Sequence, residues 1–169
     1  MSPDSIFQLE VFFFIGCAQI AAALTGFIGV VYVVGERSHG RLNTHESSAV
    51  FHFMLAGLGT LFLSLFTALL LVCFSAQASV AWQVANAANG LFHFTGASRL
   101  AREQWRHESG VRQGYATAGL GLAAAAASFA AAAGYLPQYS HFILMLGTLW
   151  ALGVTVISFN SLLMMPRTT

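Results

Sequence analysis

Apolar residues fill this chain in long runs rather than in the narrow stripes of a soluble helix or the alternation of a strand. Between Glu46 and Arg99 there is no Asp, Glu, Lys or Arg. A helix that crosses a bilayer needs roughly 20 mostly apolar residues. Five segments meet that length, at about 6 to 34, 48 to 74, 79 to 98, 115 to 135 and 141 to 164. The pattern predicts an all-α fold, a polytopic membrane bundle of five transmembrane helices. The fourth segment, "GLGLAAAAASFAAAAG", has little Leu, Ile or Val to favour lipid, so it should pack against neighbouring helices.

The third run breaks the oily pattern. In "QVANAANGLFHFTG", Gln83, Asn86, Asn89, Gly90 and His93 fall within an arc of roughly 120° on a helix that advances about 100° per residue. Val80, Val84, Leu91 and Thr95 lie on the other side. In hydrocarbon the amides and the imidazole need partners, so this face should look into the bundle and place span three near its centre.

Composition agrees with the pattern. Of 169 residues, 57% are hydrophobic and 8% charged, against about 25% charged in a soluble domain, and the mean hydropathy is +0.70. No polar stretch is long enough for a separate soluble unit, so residues 1–169 read as one integral membrane domain. Cys17 and Cys73 sit in apolar runs with no CxxC or Cys/His spacing and read as small packed side chains. The acidic start "MSPDSIFQLE" lacks the basic region of a secretory signal, so the first run should be kept as a span.

Helix ends are marked. Ser2, Pro3 and Asp4 suit the start of span one, "NTHE" (Asn43 to Glu46) resembles a capping box before span two, and "GYLPQYS" (Gly134 to Ser140) is a Gly/Pro turn with two interfacial tyrosines. There is no lysine. All seven arginines fall after span one, after span three or at the C-terminus. Five spans bring these places to one side, which the positive-inside rule makes cytoplasmic. The expected orientation is N-out/C-in, in a bacterial inner membrane. The basic loop "RLAREQWRHESGVRQ" reads as a topology signal, with room for a short interfacial helix carrying Trp105. Nothing beyond it points to nucleic acid, and the expected partners are the lipid bilayer and either a second copy or a larger membrane complex.

Other spans offer matching faces: Gly16, Gln19, Ala23 and Gly26 in span one; Ser48, His52, Ala56, Gly59 and Thr67 in span two; Gly153 and Asn160 in span five. Small residues allow close approach and polar ones bond across helices, so packing alone accounts for such stripes. The expected polar interior is Gln19, Gln83, Asn86, Asn89 and Asn160. His52 and His93 should lie at similar depth, each within the tripeptide "FHF". Such a pair can ligate the iron of haem b from opposite faces, relay protons or help hold a transition metal. His52 and His93 are therefore the candidate cofactor-binding residues, and the pattern specifies no catalytic residue and no metal site. His45, Glu46, Glu10 and His141 read as interfacial groups near helix ends. The stretch "HFMLAGLGTL" from His52 is similar to "HFILMLGTL" from His141, which inverted repeats in transporters would also produce.

The first span, "AQIAAALTGFIGVVYVVG", resembles the opening helix of small bacterial multi-spanning membrane proteins with no assigned function. The resemblance covers about one helix, rests on small residues around Gly26 and Gly29, and implies no site residues. With no Gly-rich phosphate loop, Ser/His/Asp arrangement or paired carboxylates within a span, an enzyme is not expected. Three classes remain: a protein with a proton, ion or small-ligand path, a haem electron carrier, and a structural subunit of a membrane complex.

Overall fold

The computed structural model describes residues 3–39, 44–106 and 112–163, and side chains within 7–30, 54–102 and 114–157 together with Val50 and Trp105. The described chain is all-helical, with five α-helices: α1 (Pro3–His39), α2 (Thr44–Cys73), α3 (Ala78–Arg106), α4 (Arg112–Ala132) and α5 (Ser140–Leu163). Short 3₁₀ turns, Ser75–Gln77 and Pro137–Tyr139, join α2 to α3 and α4 to α5. Gly134 ends the α4 side of its turn at φ 80°, a conformation that costs a side chain with a Cβ about 1 kcal/mol or more.

Helices α1, α2 and α3 exceed the expected spans, whereas α4 and α5 match theirs in length and begin one to three residues earlier. The segment "RLAREQWR" was expected as loop or interfacial helix, yet it continues α3 without a break. Its Leu, Ala, Arg, Glu and Gln are good helix formers with no Gly or Pro among them, and its arginines suit the negative end of a helix. The proposed cap residues Ser2 and Asn43 lie outside the described residues.

Among the described residues, four helices carry stretches long and apolar enough to cross a membrane: Phe7–Val30, Met54–Cys73, Gly114–Ala132 and Pro137–Ile157. The Ala-rich α4 is one of them and α3 is not, because its amides and imidazole lower the apolar content of its central turns. Phe12, Phe62, Leu69, Leu91, Leu120 and Phe142 are all exposed on the outside of the bundle. A soluble monomer rarely leaves so much apolar surface uncovered, and these outward faces suit lipid.

Helices α1 and α2 pair, α3 and α4 pair, and α5 packs against all four. The centre is therefore α5, not α3 as the polar face suggested. Its side chains Ser140, Leu144, Thr148, Ala151 and Thr155 are small or slim and all buried, so neighbours approach it from several directions. A cluster of Phe14, Ala68, Leu71, Ala81, Ala85 and Leu144 joins α1, α2, α3 and α5, and Cys17, Ala21 and Leu152 join α1 to α5. Cys17 is packed as expected, whereas Cys73, at the end of α2, is exposed.

The similarity between the segments from His52 and His141 has a structural counterpart. Gly59-Thr60 on α2 and Gly147-Thr148 on α5 occupy matching positions in the two segments. A Cβ on Gly59 would strike Phe92, and one on Gly147 would strike Asn89. Both glycines thus receive side chains of α3. Both threonines are buried and donate to the carbonyl four residues back, Thr60 to Ala56 at 2.8 Å and Thr148 to Leu144 at 2.9 Å.

Candidate functional site

The polar residues of α3 form a column tied to α4 and α5. Asn86 and Asn89 are fully buried and His93 nearly so. At about 1.5 Å per residue the column covers roughly 10 Å of helix. At one end, Asn86 Nδ2 donates to the Ser140 carbonyl at 3.0 Å and approaches Ser140 Oγ at 2.9 Å, both at the start of α5, while also reaching its own helix at Trp82 O, 2.9 Å away. In the middle, Asn89 Nδ2 donates to Ser128 Oγ on α4 at 2.9 Å. At the other end, His93 Nε2 lies 3.1 Å from the Gly147 carbonyl of α5. A carbonyl only accepts, so Nε2 carries the proton and donates it.

The donor ends of both amides are used, but their oxygens are not. Asn86 Oδ1 and Asn89 Oδ1 are buried with no hydrogen-bond partner among the described residues, and so is Ser64 Oγ on α2. An unsatisfied buried acceptor costs about 1–3 kcal/mol. The two amide oxygens are spare acceptors within the column. Beside His93 lies a cavity of about 100 Å³ between α2, α3, α4 and α5, lined by Ala56, Phe92, His93, Ala97 and Trp150 among others. Pockets for larger organic ligands run about 300–1,000 Å³. The lining is mostly apolar, and the size admits only a very small solute.

Of the expected polar interior, Asn86 and Asn89 are buried, and His93 is with them. Gln83 is exposed. It lies at the edge of the polar arc, within two turns of the start of α3, beside the turn at Gly134. Gln19 is also exposed. Helix α1 packs chiefly on α2 and α5, and the face carrying Gln19, Ala23 and Gly26 is turned away from both. The expectation that Gln19 and Gln83 belong to the interior is therefore corrected. The side chains of His52 and Asn160 lie outside the described residues.

The haem reading meets two obstacles at His93. Its Nε2 is occupied by the Gly147 carbonyl, and the adjoining cavity is far too small for a porphyrin. Among the described residues no three His, Cys, Asp or Glu side chains gather into a metal-binding group. Glu10 is half-buried, and His141 is exposed with its ring 6.1 Å from that of Trp82.

Sequence reasoning missed Ser128, Ser140 and Gly147, the partners that complete the column. Ser128 had a signal, as the lone hydroxyl in the alanine run of α4, and Gly147 stood in the repeated "GTL". Fold and column together define an all-helical bundle compatible with a membrane protein, in which a buried amide and imidazole column links three helices. No family model matches the chain, and neither curated proteins nor solved structures provide a match.

Proposed function

We propose that the chain is a single-domain, five-span protein of a bacterial inner membrane, oriented N-out/C-in, and that its α3 column serves as a path for protons or another very small hydrogen-bonding species rather than as an enzyme. Helix α3 has 29 residues, about 43 Å at 1.5 Å per residue, which exceeds the roughly 30 Å hydrocarbon core. Its contacts with Ser128 and Gly147, both inside the apolar stretches of α4 and α5, keep it beside those two helices. Those neighbours cover Asn86, Asn89 and His93, which lowers the cost of α3 as a span. The positions of the arginines support the orientation.

The observation that carries the path is a file of buried polar groups one turn apart on α3. Asn86, Asn89 and His93 follow one another from Ser140 towards the cavity beside His93, each bonded sideways to α4 or α5, with two amide oxygens still free to accept. Amide oxygens hold hydrogen-bond donors in place. The imidazole is the one group in this line that ordinarily changes charge near neutral pH.

Purified protein in liposomes that enclose a pH-sensitive dye tests this reading. An imposed proton gradient, with the membrane potential clamped, should collapse faster than in protein-free vesicles. Decay equal to that of empty vesicles overturns it.

A further inference from the structure

The outward face of α1 is built like one half of a two-helix seam. Leu9, Phe12, Gly16, Gln19, Ala23, Gly26 and Val30 follow one another at alternating spacings of three and four residues. This is the a/d pattern of a left-handed helix pair. Leu9, Phe12, Gln19, Ala23, Gly26 and Val30 are exposed and Gly16 is half-exposed. A Cβ placed on Gly16 or Gly26 would meet nothing within 4 Å. The glycines are therefore not needed for contacts among the described residues. They leave a shallow groove of bare backbone along the outside of the helix.

Gln19 says what fills the groove. It stands at the middle of the apolar stretch Phe7–Val30, and its amide has no hydrogen bond to any described residue. A primary amide facing hydrocarbon without a partner is costly. The partner must bring a donor and an acceptor to the same depth. A second copy of this chain, inserted with the same orientation and related by a two-fold axis along the membrane normal, brings Gln19 itself to that depth. Two glutamine amides satisfy each other reciprocally, since each carries a donor and an acceptor. The small residues on either side let the backbones come close enough for this bond, and a single polar residue in an a/d seam fixes its register.

We propose that α1 pairs in parallel with α1 of a second copy through the Leu9 to Val30 seam, with Gln19 bonded to Gln19 across the axis. The proposal rests on α1 lying in the bilayer and not on the proton path.

Cysteine cross-linking of the full chain in its membrane tests it. In a Cys73→Ser background, with the buried Cys17 kept as a control, single cysteines are placed on the seam (Gly16→Cys, Ala23→Cys, Gly26→Cys) and on its two flanks (Ile20→Cys, Ala22→Cys). Mild oxidation should give a species of twice the 18.0 kDa chain mass at the three seam positions and little at the flanks. With Ala23→Cys as reporter, Gln19→Leu should raise the dimer dissociation constant about 3- to 30-fold, the range of interhelical polar bonds in membranes, and Gln19→Asn should keep most of the pairing. The proposal is overturned by equal cross-linking at all five positions, by stronger cross-linking at the flanks or by none. It is also overturned by an adduct of another mass, which would mean that a different protein covers this face.

Discussion

His93 Nε2 lies 3.1 Å from the carbonyl oxygen of Gly147, and a Cβ on that glycine would come within 3.2 Å of the same nitrogen. The imidazole of α3 rests on bare backbone of α5, and this contact needs glycine.

Gly147→Ala should therefore destabilise the protein. The added carbon would also strike Asn89 Nδ2, whose position is fixed by its bond to Ser128, so the strain has no easy outlet. Overpacking of this kind costs about 1–3 kcal/mol. Gly153→Ala is the matched control on the same helix, where a Cβ meets nothing within 4 Å. Thermal unfolding in detergent should show a lower midpoint for the first variant and an unchanged or slightly higher one for the second.

Asn86→Leu and Asn89→Leu should each lower stability by about 1–2 kcal/mol, since each removes interhelical bonds and leaves buried partners behind. Val84→Leu and Leu91→Ile, on the exposed side of α3, should be nearly silent. Equal tolerance at the four positions in a stability or yield assay would show that the buried face has been misassigned.

Reporter fusions after Gln77 and Gln138 should read as external, and one near Trp105 as cytoplasmic. Both outer sites follow an even number of spans only if α3 crosses the bilayer. An external signal at Gln77 with a cytoplasmic one at Gln138 would remove the five-span topology, leaving α4 out of the membrane if Trp105 still reads as cytoplasmic and α3 out if Trp105 reads as external.

The buried face of α3 was legible because Asn86, Asn89, Gly90 and His93 recur at helical spacing in an uncharged run. Their partners were not, because Ser128 and Gly147 lie 39 and 54 residues further on, and no local pattern fixes the register of two helices that far apart. The outward turn of Gln19 was hidden for a different reason. In α1, Gly and Ala occur on several sides, and a helix of small residues offers a neighbour nearly equivalent faces. Only the packing of α1 on α2 and α5 decides which face is left out. The position of α5 at the centre likewise follows from its slim buried side chains, which carry less sequence contrast than two asparagines and a histidine.

The proton path is tested most directly by gradient collapse in dye-loaded proteoliposomes, comparing wild-type protein, Asn89→Leu and Val84→Leu at equal amounts of folded protein. Collapse well above that of empty vesicles is expected for the wild type and for Val84→Leu, and collapse at the empty-vesicle rate for Asn89→Leu, whose spare acceptor lies in the middle of the column. Wild-type collapse no faster than in empty vesicles, or full retention in Asn89→Leu, would contradict it and leave the column as packing between α3, α4 and α5.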